Sequence, residues 1–142
     1  SRLAIGCDHA GYSLKRSLID SLSSDGYEFI DLGAYGEDPV DYPDIANMMG
    51  ELFMKGQVFK GILVCGSGIG ISIAANRFKL IRAALVHDQA AASSARKHND
   101  ANVIVFGGRV IDKSLAIGCL KIFLETDFEG GRHQARVLKL GQ

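Results

Sequence analysis

The sequence has no tryptophan, only two prolines and three cysteines in 142 residues, and no excess charge, with 16 basic side chains against 16 acidic ones. Each scarcity excludes something. So little proline beside 47% apolar residues is not the composition of a linker or a disordered tail. A net charge of zero removes the broad attraction that draws proteins to polyanions, so neither nucleic acid nor a membrane surface is an expected partner. Cys7, Cys65 and Cys119 are odd in number and far apart, which fits neither a disulfide framework nor a paired-cysteine zinc site and points to a reducing, cytoplasmic setting. Long hydrophobic runs are missing too. The first, Leu3 to Cys7, stops at Asp8 and His9, too short for a secretory segment, and no stretch could span a bilayer.

What the chain has in surplus is glycine, 17 residues, set among short apolar runs that alternate with helical periodicity. Runs at Leu3 to Cys7, Glu28 to Leu32, Gly61 to Cys65, Arg82 to Val86 and Val103 to Phe106 read as buried parallel strands. Leu14, Leu18, Ile19 and Leu22 recur at helical spacing, as do Ile45, Met48, Met49, Leu52 and Phe53 between Pro43 and Gly56. Further helices are expected from the Gly66 to Gly70 loop to Asn76, after Asp88, after Asp112, and at about 132–140 behind Gly130 and Gly131. Strands alternating with helices predict one α/β domain over residues 1–142. Its architecture is a three-layer α/β/α sandwich around a five-stranded parallel, Rossmann-like sheet. Apart from Gly66, Gly68, Gly70, Gly130 and Gly131, most glycines read as breaks between elements.

Ligands of open parallel sheets bind at the carboxyl ends of the strands, where this chain places Asp8 and His9, Cys65 to Gly70, His87 and Asp88, and Gly107 to Arg109. Three glycines in five residues let the Gly66 to Gly70 backbone turn its N–H groups toward an anion, although a turn serving close packing alone needs the same residues. A G-x-G-x-x-G frame fails at Ile71 and Ile73. A phosphate-loop lysine is absent, and a Cys-x5-Arg phosphatase would need arginine where Ile71 stands. Cys65, at the rim, is a candidate base or nucleophile, whereas Cys7 and Cys119 read as core thiols. Ser67 can donate to a substrate or simply cap a turn. No histidine pair has a metal-chelating spacing, so no metal is expected.

His98 and Asn99 end the helix that leaves the carboxyl edge, so they belong at the amino edge, out of reach of Cys65 in the same chain. Arg132 and Arg136, four apart in a stretch without acids, either form a solvated helix or clamp a phosphate. If each edge carries half a site, the whole site forms where two subunits meet.

Five segments carry a resemblance: Gly6-Cys7-Asp8-His9-Ala10-Gly11, Asp41-Tyr42-Pro43, Cys65 through Asn76, Arg96 through Val103, and Glu129 through Val137. In this order, over nearly the whole chain, they resemble the type B ribose-5-phosphate isomerases. The wider family also includes galactose-6-phosphate isomerase subunits and allose-6-phosphate isomerases. The resemblance implies cofactor-free interconversion of ribose 5-phosphate and ribulose 5-phosphate through a cis-enediolate, in the non-oxidative pentose phosphate pathway. It makes Cys65 the base, Ser67 the hydroxyl beside it, and His98 the acid/base that opens the furanose ring, with Asn99 next to it. Asp8, His9, Tyr42, Gly66, Gly68, Ile69 and Gly70 become substrate contacts, and Arg109, Arg132 and Arg136 bind substrate and phosphate. It also implies a homodimer with shared sites and the last helix at the interface, leaving open whether dimers pair into tetramers. A six-carbon sugar phosphate is the alternative substrate, and a non-catalytic nucleotide-binding module the alternative of another class.

Overall fold

A computed structural model describes residues 2–141. Its centre is a five-stranded, all-parallel sheet of β1 (Arg2–Cys7), β2 (Glu28–Asp31), β3 (Gly61–Cys65), β4 (Ala83–Leu85) and β5 (Val103–Gly107), in the order β2-β1-β3-β5-β4. β3 and β5 are buried along their whole length and β1 from Leu3 on, because both sheet faces are covered, hence their unbroken apolar runs. The edge strands β2 and β4 are only half-buried. β4 is shorter than the predicted Arg82 to Val86. The Arg82 amide turns away to the Asn102 side chain at 2.7 Å, which ends the strand there.

α1 (Tyr12–Ser23), α4 (Gln89–Lys97) and α5 (Lys113–Glu125) cover one face; α2 (Tyr42–Met54) and α3 (Ile69–Ala75) cover the other. The first layer closes over Leu18, Leu22, Ile104, Phe106, Leu120 and Phe123. The second closes over Ile45, Met49, Leu63, Ile71 and Val105. Burying one such side chain stabilises the fold by about 1.5–3 kcal/mol. α4 is capped by Asp88, whose carboxylate accepts the Ala91 amide at 2.7 Å. Asp112, at the same position before α5, makes no such side-chain bond. A short α6 (Arg132–Leu138) follows Gly130 and Gly131, whose φ of +69° and +54° require glycine. Among the described residues no helix is long and apolar enough to cross a membrane.

The expectation that most other glycines merely break the chain does not hold. A Cβ on Gly6 would lie 2.5 Å from Ile45, on Gly50 2.5 Å from the Phe78 ring, and on Gly61 2.6 Å from the Met49 sulfur. These glycines sit inside β1, α2 and β3, where the missing side chain lets α2 approach the sheet and Phe78 pack on α2.

Candidate active site

From β1 the chain goes on to β2 on one side of the sheet, and from β3 to β4 on the other. The loops after β1 and β3 therefore part, and the crevice between them is the switch point where open α/β sheets take ligands. The loop after β5 closes its floor: the Gly108 amide donates to the Cys65 carbonyl at 2.7 Å and the Arg109 amide to the Gly66 carbonyl at 3.0 Å. There is no room between these loops for a side chain. A Cβ on Gly107 would lie 2.5 Å from the Ser67 carbonyl oxygen, and one on Gly108 2.9 Å from that of Ala10.

Cys65 is the last residue of β3, 4% exposed, and its Sγ accepts the Gly68 amide at 3.2 Å. Gly68 has φ +79°, and its Cβ would meet the backbone of Phe106 and Gly107 at 3.0 Å. The Ser67 hydroxyl, exposed, accepts the Ile69 amide at 3.1 Å, a local turn that leaves its own proton free to donate outward. Two of the loop's amides are thus directed at its own side chains. Those at the start of α3, on Gly70 and Ile71, lie beyond the turn with no carbonyl one helical turn back to receive them. The Tyr42 ring lies over Gly70, close enough that a Cβ there would sit 2.6 Å from it, and the Arg109 guanidinium lies over Gly66.

Asp8 and His9 are placed differently from one another. Asp8 is 7% exposed, and one carboxylate oxygen caps the short 3-10 turn His9–Gly11, accepting from Ala10 at 3.0 Å and Gly11 at 3.1 Å. Its first task is to shape the loop. His9, half-buried, accepts the Val40 amide on Nδ1 at 3.1 Å, so in the neutral ring Nε2 carries the proton. Of the other thiols, burial pushes Cys7 up to about 11 and raises Cys119 as well, as befits core residues.

His98, Asn99, Arg132 and Arg136 are not in this crevice. Gly61 and Val103 pair at the amino ends of β3 and β5, and the Gly61 amide reaches the Asn102 carbonyl at 2.9 Å, so His98 lies at the edge opposite Cys65. At about 3.3 Å per residue, β3 alone separates those edges by roughly 13 Å. The turn holding His98 is braced by Arg96, 7% exposed, which donates to the Asp100 carboxylate at 2.8 Å, the Ala101 carbonyl at 2.7 Å and the Thr126 carbonyl at 3.0 Å. Asp100 itself is left-handed, φ +47°.

The His98 ring stacks on that of His133 with centroids 4.6 Å apart, and His133 Nε2 lies 3.8 Å from Glu129. Partial burial, then the charges of His98 and Arg132, lower the pKa of His133 below its ordinary 6.5. Sequence reading missed Glu129 and His133 as neighbours of His98. Their i,i+4 spacing was visible, but the fold alone brings His98 to them. A cavity of about 460 Å³ opens at this same edge, lined by Asn76, Arg82, Asn99 and Leu140 among others, and does not include Cys65. At the other edge Ile69 and Ile73, on one face of α3, are 56% and 60% exposed.

Known proteins share this fold. The profile of the Ribose/Galactose Isomerase family matches residues 3–140. Ribose-5-phosphate isomerase B of Escherichia coli is 43% identical over 136 residues, 96% of this chain and 91% of that protein. The crystal structure of a ribose 5-phosphate isomerase from Thermotoga maritima superposes with a TM-score of 0.96 at 44% identity, covering 99% of this chain and 97% of that one. Ribose-5-phosphate isomerase B of Mycoplasma genitalium, solved with bound ribulose 5-phosphate, gives 0.91 at 37% identity, covering 97% and 92%.

Proposed function

The chain belongs to the ribose/galactose isomerase family, and from that membership we propose how its residues divide the interconversion of ribose 5-phosphate and ribulose 5-phosphate. It is an isomerase of a phosphorylated sugar. The observation that carries the assignment of chemistry is the Cys65 sulfur, at the switch-point crevice with the Gly68 amide aimed at it.

In the open-chain aldose, Cys65 Sγ removes the proton on C2 and returns it to C1 through a cis-enediolate, while the hydroxyl proton of O2 passes to O1, so that C2 becomes the carbonyl and C1 the hydroxymethyl carbon. As charge develops on the sugar oxygens, N–H donors at the start of α3 and the Ser67 hydroxyl stabilise it. One preorganised donor of this kind is worth about 3 kcal/mol in acyl-transfer enzymes. The charge-assisted bond from Gly68 favours the anionic sulfur that takes the proton and that is regenerated once the proton has been returned. His9, with Nε2–H turned out of its bond to Val40, and Arg109 over Gly66 hold the sugar; Tyr42 and Ile69 wall the crevice. The phosphate, remote from the reacting carbons, supplies binding energy that fixes the chain in a reactive geometry.

Ring opening and phosphate binding fall to His98, Asn99, Arg132 and Arg136, supplied by a second copy of the chain. Two observations support this: the opposite-edge position of these residues, and the exposed Ile69 and Ile73 beside the crevice, an apolar surface suited to a partner. We place α6 at that interface and the enzyme in the cytoplasm, where three free thiols stay reduced. No cofactor enters the scheme. The deciding experiment is turnover of ribose 5-phosphate against allose 6-phosphate and galactose 6-phosphate. A higher kcat/KM for either six-carbon sugar would reassign the substrate, and saturable nucleotide binding without any turnover would abandon the isomerase reading.

A further inference from the structure

Outside the crevice, His98, Glu129 and His133 bring three metal-ligating side chains together, one donor atom from each lying within 4.8 Å of the other two. We propose that these three residues chelate a divalent transition metal of the Zn2+ type, and that the bound ion inhibits the enzyme by withdrawing His98 from ring opening. The inhibition rests on the isomerase reading above; the binding does not.

Two imidazoles and one carboxylate are a donor set for Zn2+, Co2+ or Ni2+ rather than for Mg2+ or Ca2+, which take oxygen ligands. Around tetrahedral zinc, with bonds of about 2.0–2.1 Å, ligand atoms stand roughly 3.3 Å apart. His133 Nε2 and Glu129 Oε1 are already at 3.8 Å. The remaining contraction needs the stacked rings to tilt apart until both nitrogen lone pairs meet the ion. Within the single chain His98 and Glu129 are exposed, so no neighbouring residue of their own chain encloses their side chains.

The backbones that carry them are already held. The His98 amide bonds the Ser94 carbonyl at 2.9 Å, the Glu129 amide bonds the Lys97 carbonyl at 3.1 Å, and the His133 amide bonds the Gly130 carbonyl at 3.0 Å. Arg96 ties the segment before Glu129 to the turn after His98. Chelation therefore orders side-chain torsions only, which keeps its entropic cost small. Arg132 and Arg136, on the same short helix as His133, oppose a cation and limit the affinity, while the Glu129 carboxylate favours it. The site is thus suited to sensing excess metal rather than holding a permanent ion. A single ion ties up the imidazole on which ring opening depends.

The test is titration of the chelator-treated, full-length protein with Co2+, followed by visible absorption, and with Zn2+, followed by calorimetry. The expected result is one ion per chain with a spectrum of nitrogen and oxygen ligands, unchanged in Cys65→Ala and weakened about ten-fold or more in both Glu129→Gln and His133→Asn. A sulfur-to-cobalt charge-transfer band, or binding that disappears in Cys65→Ala, would move the ion to the thiol and overturn the proposal. So would undiminished binding in Glu129→Gln and His133→Asn. Ribose 5-phosphate turnover is measured alongside. Ions that bind as expected yet leave turnover unchanged refute the inhibition alone, whereas metal-free enzyme without any turnover refutes the isomerase reading and leaves the metal site standing.

Discussion

The Cys65 sulfur and the Gly68 amide, 3.2 Å apart, close the turn at the carboxyl end of β3. Replacing Cys65 by alanine removes the proposed base together with the acceptor of the Gly68 amide. The expected loss in kcat is about 10²- to 10⁴-fold, the usual share of a positioned acid/base group, with KM for ribose 5-phosphate changed little. Steady-state assay of ribulose 5-phosphate formation checks it, and an undiminished kcat would take the thiol out of the mechanism.

The partner residue gives a second variant. Gly68→Ala puts a side chain at φ +79°, where an L-residue pays about 1–2 kcal/mol, and drives its Cβ to 3.0 Å from the Phe106 and Gly107 backbone. Overpacking adds about 1–3 kcal/mol more. Urea unfolding is expected to report a loss of that summed size together with a kcat well below wild type. A stable, active Gly68→Ala would mean that the loop has another conformation available.

Much of this arrangement was legible before any coordinates. β1, β3 and β5 are central and covered on both faces, so their residues had to be continuously apolar, and the rim residues follow from where such strands end. The edge strands were harder: β4 starts only after Arg82 because the Arg82 amide answers to Asn102, twenty positions away. Packing glycines such as Gly50 look like helix breakers until Phe78 is seen against them. Lys15 offers no sequence signal of burial, since a lysine beside an apolar stripe normally reaches water. The His98, Glu129 and His133 group escaped because spacing rules see ligands on one element, and here the residue after α4, the chain before α6 and α6 itself contribute jointly.

Lys15 is fully buried, with its ammonium 2.6 Å from Asp31, bonded to the Ala34 carbonyl and flanked by the Tyr12 and Tyr35 rings at 5.5 and 5.3 Å. Lys15→Met leaves the Asp31 carboxylate with the Gly33 amide at 2.9 Å and no cation. Because that carboxylate is 28% exposed, the expected destabilisation is at the low end for a broken buried pair, about 3 kcal/mol. Adding Asp31→Asn should recover part of it in thermal unfolding. If the double variant is no more stable than the single one, the pair is not what holds this corner.

The two edges can be tested by mixing. Cys65→Ala and His98→Ala enzymes are each expected to be inactive, but a hybrid dimer would contain one site free of both changes. Random exchange of equal amounts should therefore restore about a quarter of wild-type activity. No recovery, with exchange verified by mass spectrometry, would mean that each site is built within one chain.

Burial sets the titration of Cys7 apart from that of a free thiol. Cys7 is held as the thiol up to about pH 11, so at pH 8 only about one in a thousand Cys7 side chains is thiolate. Iodoacetamide is expected to reach Cys7 and Cys119, both fully buried, only on unfolding. Since the folded state keeps the Cys7 proton that the unfolded state loses above its ordinary 9.0, the contribution of Cys7 to stability is complete below pH 9 and declines toward pH 11. Cys7→Ala should flatten that decline in urea titrations, and an unchanged slope would assign it elsewhere.

β3 and β5, parallel and five residues each, put Cys65 and the turn that carries His98 at opposite ends of the sheet, and in the proposed shared-site dimer this makes catalysis a matter of concentration as well as sequence. A chain diluted until its partner dissociates would keep a buried core and its circular dichroism, yet stop turning over sugar. Specific activity that falls on dilution and returns on reconcentration is the everyday trace that such a layout leaves.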